Sequence, residues 1–126
     1  MIFVDTNVLM YAVGADHPLR AEARGFFLRS AREELPLATS AEVLQELLHA
    51  YLPAGRLETL DAALALAEGR IATVWPVEEA DVRLARSLAG KRPALDARDV
   101  IHLACCRRRD VTRAMTFDRA LADAFD

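Results

Sequence analysis

The sequence predicts an α/β protein in which a short, mainly parallel sheet of about four strands lies between two layers of helices. Short apolar runs without polar alternation are typical of strands buried on both faces. Segments with the helical spacing of apolar residues separate these runs, and all five prolines fall between the segments. The chain has 126 residues, a length that fits one domain. We therefore predict a single domain over residues 1–126.

The elements follow one another in alternation. The predicted strands are Ile2–Val4, Leu37–Ala38, Ile71–Trp75 and Val111–Met115. A helix begins near Asn7, and a short one covers the terminal "RALADAF". Each of the remaining helices shows one apolar face, formed in chain order by Leu19, Ala23, Phe26, Phe27 and Ser30; Val43, Leu44, Leu47, Leu48 and Tyr51; Leu57, Leu60, Leu64 and Ala67; Val82, Ala85 and Leu88; Val100, Ile101, Ala104 and Cys105.

Composition excludes several classes of protein. With 53% hydrophobic and 28% charged residues the chain is expected to fold, and no apolar run reaches the roughly 20 residues of a membrane span. No secretion signal is recognisable, and the adjacent Cys105 and Cys106 are poorly placed for a disulfide, so we expect a cytoplasmic protein. The net charge of −3 excludes a general basic nucleic-acid binder. The cluster Arg107–Arg109 is either an RNA contact or a solvated helix end.

Carboxylates follow the first and last predicted strands. Asp5 comes directly after Val4, and Asp118 lies three residues beyond Met115. Ligands of open α/β sheets bind at the carboxyl ends of the strands, so the two ends of the chain are expected to meet over one crevice. Each of these acids is also a plausible helix N-cap, and the position alone leaves both roles open.

Two further acids come from helices. In "TSAEVLQELLHAY", Thr39 and Glu42 have the spacing of a capping box, whereas Glu46 lies mid-helix among leucines and gains nothing from capping. We therefore favour Glu46 as the functional acid. In "ALDARDVIHLACC", Asp96 is a possible N-cap with Asp99 at the third helical position, but Asp99 also begins a helix apolar enough to be buried.

Four acids converging on one crevice would need a counter-charge. Carboxylates a few ångströms apart raise one another's pKa and oppose folding of the ionised site. A hard divalent cation removes that conflict. The chain has no Cys/His spacing typical of zinc, and carboxylate oxygens suit Mg²⁺ or Mn²⁺. Such ions commonly act on phosphate esters, by activating water and stabilising the leaving oxygen.

The stretches "MIFVDTNVLMYAV", "TSAEVLQELLHAY", "LDARDVIHLACC" and "TFD" resemble, in this order, the PIN-domain ribonucleases and most closely the VapC toxins of bacterial toxin–antitoxin pairs. The resemblance covers essentially the whole chain and implies a three-layer α/β/α sandwich. It implies a catalytic and metal-binding set, with supporting residues around it. The four acids of that set are Asp5, Glu46, Asp99 and Asp118, and the supporting residues are Thr6, Asn7, Thr116, Asp96 and His102.

The supporting residues are expected to have different roles. Thr6 and Asn7 would orient ligands or water at the metal, and Thr116 stands beside Asp118. Asp96 occupies a position where many family members have a small or uncharged residue, so it is an extra acid at the rim or only a cap. His102 would position substrate or buffer a proton, or it is simply a partly buried helix residue.

The resemblance also implies partners. These are an RNA substrate, a small cognate antitoxin of the VapB kind and a second copy of the chain in a homodimer; no membrane is implicated. An antitoxin segment would lie in an apolar groove between helices. Five residues could line such a groove or belong to the core, namely Phe26, Phe27, Leu48, Tyr51 and Leu52.

The predicted function is a Mg²⁺-dependent endoribonuclease, with Mn²⁺ as a possible substitute, that is the toxin of a type II toxin–antitoxin pair. One alternative is a nuclease of the same fold in RNA processing or repair. A non-catalytic RNA-binding version would have lost an acid, and all four are present. Another alternative is a receiver-like phosphoacceptor domain. That class needs a lysine after a late strand, whereas the only lysine, Lys91, follows a helical pattern.

Overall fold

A computed structural model describes all residues, 1–126, and its four strands and seven helices follow the predicted alternation. None of the helices is both long and apolar enough to cross a membrane. The elements in chain order are β1 Ile2–Val4, α1 Thr6–Val13, α2 Pro18–Arg32, β2 Leu37–Ser40, α3 Ala41–Tyr51, α4 Leu57–Arg70, β3 Thr73–Trp75, α5 Glu79–Ala89, α6 Ala97–Arg108, β4 Arg113–Met115 and α7 Arg119–Asp123. The predicted β1 is confirmed as stated; β2 is longer, and β3 and β4 are shorter, than the apolar runs indicated.

The sheet is entirely parallel and has the strand order β3-β2-β1-β4. Phe3 of β1 pairs with Ala38 on one side and with Ala114 on the other. The first and last strands of the chain are therefore neighbours, as the positions of the two carboxylates predicted. The central strands β1 and β2 are buried along their whole length, which explains the unbroken apolar pattern of β1.

The helices form two layers because of the direction of the crossovers. The connections from β1 to β2 and from β2 to β3 step the same way along the sheet, and the connection from β3 to β4 steps back. Right-handed crossovers then place α1–α4 on one face and α5–α6 on the other. The buried residues agree, since a smaller apolar cluster draws only on α5, α6 and the segment around α7. The predicted three-layer α/β/α sandwich is confirmed.

Only some residues of the predicted apolar helix faces belong to the hydrophobic core. Phe26, Phe27 and Tyr51 are buried and belong to the hydrophobic core, which is one of the two roles that the sequence left open for them. Leu48 and Leu52 on the same helix end are 40% and 50% exposed and remain available to a partner. Pro18 is the first residue of α2 rather than part of a connection, a position that tolerates proline because its N–H has no partner there.

A buried ion cluster joins α5 to the end of α6. Asp81 is fully buried and accepts hydrogen bonds from Arg108 at 2.8 Å and from Arg109 at 2.9 Å. Arg109 also lies over the ring of Trp75, 5.2 Å from its centroid. The sequence predicted that Val82 lies on the apolar face of α5. This prediction is wrong, because Val82 is 49% exposed. The face turned toward α6 carries Asp81 instead, and two arginines of the basic cluster are committed to it.

We predict that Asp81→Asn lowers the free energy of unfolding by about 3 kcal/mol, because it removes the buried counter-charge of two arginines and leaves them only the more exposed Glu78. Burial acts to raise the pKa of Asp81, but hydrogen bonds from Arg109 and Arg108 hold that pKa well below its usual value. Urea denaturation at neutral pH measures the loss.

The matched control is Glu79→Gln, which breaks the Arg83–Glu79 pair of the same helix, at 2.6 Å with both side chains more than three-quarters exposed. An exposed pair of this kind contributes at most about 0.5 kcal/mol. Equal effects of the two substitutions would show that the buried cluster contributes no more than a surface pair.

Candidate functional site

A crevice at the carboxyl ends of β1 and β4 brings all four predicted acids together. Its volume is about 210 Å³. It is lined by Asp5, Thr6, Asn7, Met10, Glu46, Ala50, Asp96, Arg98, Asp99 and Asp118. The acids come from four separate segments: the end of β1, α3, the start of α6 and the loop after β4. The fold therefore assembles in space what is spread over the whole sequence.

Asp5 lies at the centre of a hydrogen-bond network. It is only 5% exposed, and its Oδ1 accepts the backbone N–H of Thr6 at 2.7 Å as the N-cap of α1. Its Oδ2 accepts the hydroxyl of Thr116 at 2.6 Å and the amide of Asn7 at 3.3 Å. Burial raises the pKa of Asp5 above its usual value, and the hydrogen bonds from Thr116 and Thr6 act in the opposite direction. The same hydrogen bonds hold the carboxylate in place.

Asn7 ties the ends of the first and last strands together. Its side-chain oxygen accepts the backbone N–H of Phe117 at 3.1 Å, and its side-chain nitrogen also donates to Thr116 at 3.3 Å. The Thr116 hydroxyl accepts the backbone N–H of Asp118 at 3.0 Å. The three polar residues after β1 thus have distinct tasks, and that of Asn7 is to fix the loop carrying the fourth acid.

Glu46 is held at both carboxylate oxygens. The hydroxyl of Thr6 donates to Oε2 at 2.7 Å, and Nε2 of His102 lies 2.7 Å from Oε1. Burial acts to raise the pKa of Glu46, but the hydrogen bond and charge of His102 lower it overall. A carboxylate clamped in this way keeps one orientation, and the choice of Glu46 as the functional acid fits its place on the crevice wall.

His102 is part of the acidic cluster, where the sequence left its role open. It is 1% exposed, and its Nε2 lies 3.7 Å from Oδ1 of Asp5. Ligand atoms of His102, Asp5 and Glu46 all lie within 4.8 Å of one another. Burial opposes a charged ring, yet the hydrogen bond to Glu46 and the nearby carboxylates raise the pKa of His102. The sequence signal that points to a place for His102 at the site is its spacing, since it lies one helical turn after Asp99.

The predicted capping box at the start of α3 is absent. Thr39 belongs to β2, and its hydroxyl donates to the carbonyl of Val4 at 2.8 Å, across the sheet. The helix begins after Ser40, whose side chain makes no capping hydrogen bond. Glu42 therefore has no capping role; it is half-buried, and burial together with the charge of Glu46 raises its pKa. It does not line the crevice.

The remaining acids combine capping with a place at the site. Asp96 caps α6 by accepting the backbone N–H of Asp99 at 2.9 Å, and Asp118 caps α7 by accepting that of Leu121 at 3.2 Å. Both predicted caps are confirmed. Burial raises the pKa of Asp99 to about 6, with further contributions from the charges of Asp96, Asp118 and Asp5. Asp99 is thus the acid whose pKa responds most clearly to the charges of the other carboxylates.

The donor set fits a hard divalent cation. Five carboxylates line the crevice, and Arg98 is the only guanidinium among its walls. The imidazole of His102 is engaged by Glu46 through Nε2, its Nδ1 is buried without a partner, and no cysteine lines the site. Oxygen ligands in excess of positive charge are what Mg²⁺ and Mn²⁺ prefer. We expect Asp5, Glu46, Asp99 and Asp118 to hold such an ion.

Comparison with known proteins gives three kinds of match. The family model of the PIN domain matches residues 2–125. The chain is 59% identical to Ribonuclease VapC23 of Mycobacterium tuberculosis over 125 residues, which cover 99% of this chain and 98% of the relative. It is 40% identical to Ribonuclease VapC13 of the same organism, over 94% of this chain and 91% of the relative.

Among solved structures, the crystal structure of Mycobacterium tuberculosis VapC20, described as a Sarcin-Ricin loop cleaving toxin, aligns with a TM-score of 0.73. It covers 98% of this chain and 95% of that chain at 24% sequence identity. This likeness supports the fold, while the sequence relatives identify the family.

We predict that Asp99→Asn raises the melting temperature of the metal-free protein, because it removes one charge from a mutually repelling set. The gain is largest at neutral to alkaline pH and shrinks as the pH falls toward 3.8. Since the pKa of Asp99 is raised from 3.8 to about 6, the stability linked to its protonated form is fully present below 3.8 and is lost as the pH rises through about 6. Thermal melts in chelator at several pH values measure this.

Mg²⁺ provides a second readout of the same charge. A ligand that binds only the folded state raises the melting temperature, and this rise is expected to be smaller in Asp99→Asn than in the wild type. Asp61→Asn, an exposed position on α4, is the control and leaves both melts unchanged. If Asp99 were only the third residue of a cap with Asp96, the substitution would lower the melting temperature slightly and leave the response to Mg²⁺ intact.

Proposed function

The chain belongs to the PIN-domain family and, within it, to the VapC ribonucleases, and from this membership we propose that it is a Mg²⁺-dependent endoribonuclease that serves as the toxin of a type II toxin–antitoxin pair. The observation that carries the proposal is the single crevice into which four distant segments bring Asp5, Glu46, Asp99 and Asp118. Mn²⁺ would replace Mg²⁺ on the same oxygen ligands. The site of action would be the cytoplasm, where the RNA and a co-expressed antitoxin are found.

The four acids would hold the ion, and hydrogen bonds that the fold already makes keep Asp5, Glu46 and Asp118 in position. A bound divalent cation supplies a water-derived nucleophile and neutralises charge on the phosphoryl oxygens. Without that charge the acidic crevice repels the scissile phosphate. Arg98 stands in the crevice wall, where a guanidinium can pair with a phosphate through two hydrogen bonds. Glu46 cannot rotate away while Thr6 and His102 hold both of its oxygens.

The other functional classes receive less support from the structure. A phosphoacceptor domain would need its lysine beside the acidic crevice, but Lys91 lies between α5 and α6 and lines a different cavity. A nuclease of RNA processing or repair would use the same four acids. It differs from a toxin in having no antitoxin, so binding to a small partner protein distinguishes the two.

We place the antitoxin in a groove of about 360 Å³ between α1, α2 and α4. It is lined by Ala12, Val13, Arg24, Phe27, Leu28, Leu66 and Arg70. Leu28 is 57% exposed there, which is costly for a large apolar side chain unless a partner covers it. Two arginines in the walls favour an amphipathic segment that also carries acidic residues. The exposed Leu48 and Leu52 of α3 would serve the proposed homodimer.

We predict that the purified protein cleaves single-stranded RNA in Mg²⁺ or Mn²⁺, loses this activity in EDTA and regains it when either ion is restored. Glu46→Gln abolishes cleavage, because the amide removes an anionic ligand while it keeps the shape and a hydrogen bond to Thr6. Gel-resolved cleavage of a labelled RNA, with a thermal melt of each protein, measures both effects.

Glu42→Gln is the matched control, since Glu42 lies one helical turn before Glu46 and outside the crevice. It is expected to retain cleavage. Undiminished activity in chelator would remove the metal mechanism, and an inactive Glu42→Gln beside an active Glu46→Gln would show that the wrong acid has been assigned.

We predict that Leu28→Asp weakens the complex with the proposed antitoxin, the small protein expected to be encoded beside this chain, since it places a charge next to the apolar side chains of the groove. An equilibrium binding measurement on the purified pair should show a loss of at least tenfold, about 1.4 kcal/mol, with RNA cleavage by the free protein unchanged.

Val82→Asp is the control, because Val82 is an equally exposed apolar residue on α5, away from the groove. Equal affinity of both variants for the partner would place the antitoxin elsewhere. Failure of the neighbouring protein to bind the wild type at all would favour the processing nuclease over the toxin.

A further inference from the structure

A second cavity opens beside the carboxylate crevice, and we propose that it is a subsite for one unpaired nucleobase of the RNA next to the scissile phosphate. This inference rests on the proposed function, because it assigns a further part of the same substrate. The cavity measures about 350 Å³, within the usual size range of small-molecule sites. It is lined by Asn7, Met10, Tyr11, Gly14, Ala15, Asp16, His17, Tyr51 and Arg56.

The two cavities are contiguous. Asn7 and Met10 line both of them, so a strand whose phosphate lies at the carboxylates has its neighbouring nucleotide at the second cavity. Asn7 is already engaged through Asp5, Thr116 and Phe117. It therefore acts as a fixed partition between the two cavities rather than as a free ligand.

One wall of the cavity is a preassembled aromatic stack. The rings of Tyr11 and His17 lie 4.6 Å apart between centroids, at an interplanar angle of 34°. Phe117 meets Tyr11 edge to face at 5.5 Å, and Phe117 precedes Asp118, the fourth acid. The stack is thus linked to the loop that carries a metal ligand, and its position relative to the crevice is fixed before RNA binds.

His17 is presented in one orientation. Its Nδ1 accepts the backbone N–H of Leu19 at 3.1 Å, as the N-cap of α2. In the neutral ring the proton then lies on Nε2, which remains a donor. The residue is exposed, so ring surface is left for a ligand after the contact with Tyr11. A histidine is an unusual cap compared with Ser, Thr, Asp or Asn, and capping alone does not explain why an aromatic ring stands here.

The cavity lining also offers a guanidinium. Arg56 lies over the buried ring of Tyr51, 5.6 Å from its centroid, and is itself exposed. Gly14 belongs to the same lining, and a Cβ there would come within 2.9 Å of the Met10 carbonyl oxygen. A side chain at Gly14 would therefore displace the end of α1. The gap beside the aromatic stack stays free of side-chain atoms at this position.

Aromatic rings and arginine planes are the surfaces on which unpaired bases stack. The groove that contains Leu28 combines two arginines with mainly aliphatic side chains, which suits an amphipathic peptide, whereas this cavity joins rings, a guanidinium and the carboxylate of Asp16. Stacking strength grows with ring area, so the subsite should favour a purine over a pyrimidine.

His17 allows the ring to be separated from the cap. His17→Asn removes the ring and keeps a good N-cap, whereas His17→Tyr keeps a ring and loses the capping acceptor. All proteins carry Asp99→Asn to prevent cleavage, and fluorescence anisotropy with labelled oligoadenylate and oligouridylate in Mg²⁺ reports affinity. The His17→Asn protein is expected to bind oligoadenylate about tenfold more weakly than the His17→Tyr protein. This difference equals about 1.4 kcal/mol, as expected when one stacking surface for a base is lost.

Thermal melts should rank the two proteins in the opposite order, because stability follows the cap and affinity follows the ring. His49→Asn, an exposed histidine on α3 outside both cavities, is expected to leave affinity unchanged. Photocrosslinking with 5-bromouridine RNA should mark a peptide that contains Tyr11 or His17.

Equal RNA affinities for the two His17 variants, or affinities that follow the melting temperatures, would overturn the subsite. So would a loss of antitoxin binding in His17→Asn with RNA affinity unchanged, because the cavity would then hold a protein segment. Cleavage by the wild-type protein is measured separately, so a failed subsite and a failed ribonuclease assignment give different results.

Discussion

The mutual repulsion of carboxylates gathered at one edge of a parallel sheet is the constraint on which the rest of this structure depends. Adjacent parallel strands end at the same edge, so Asp5 and Asp118 cannot be separated without unpairing β1 from β4. Hydrogen-bond donors offset part of this repulsion. They are the hydroxyls of Thr6 and Thr116, the amide of Asn7 and the ring of His102. Asp99 has no such side-chain donor, and its pKa is the one raised to about 6.

Helix capping and the proposed metal binding would use the same carboxylates. Asp5, Asp96 and Asp118 each accept a backbone N–H at the start of a helix, where the helix dipole favours negative charge. A cap fixes the carboxylate to within a hydrogen bond, which is the precision that a metal ligand needs. The helix dipole also offsets part of the repulsion before any ion is bound. The capping role of each acid is therefore a means of positioning it, and the two interpretations of Asp118 are compatible.

Chain order and residue type were enough to predict the parallel sheet and its layers, because strand ends and helix starts are encoded locally. The four acids of the crevice had structural explanations as well, and the resemblance to PIN domains was needed to select them. The failures concern contacts made across the fold. Thr39 has the spacing of a capping residue, but its hydroxyl bonds to Val4 of the neighbouring strand. Asp81 interrupts an apolar stripe because its partners, Arg108 and Arg109, lie on a helix that begins sixteen residues later. The place of His102 depends on where α3 packs, which no local pattern reports.

The net charge of −3 sets a limit on how such a protein can hold RNA. Long-range attraction from a basic surface is not available, and two of the clustered arginines are committed to Asp81. Affinity must then come from short-range contacts. The proposed divalent cation would reverse the local sign of the crevice, and the proposed base subsite would bind by stacking, which does not depend on net charge. Both contacts form only when the strand lies across Asn7 with its phosphate on one side and its base on the other. An acidic chain can therefore be selective for RNA without binding nucleic acid in general, because its affinity is local to the place where cleavage occurs.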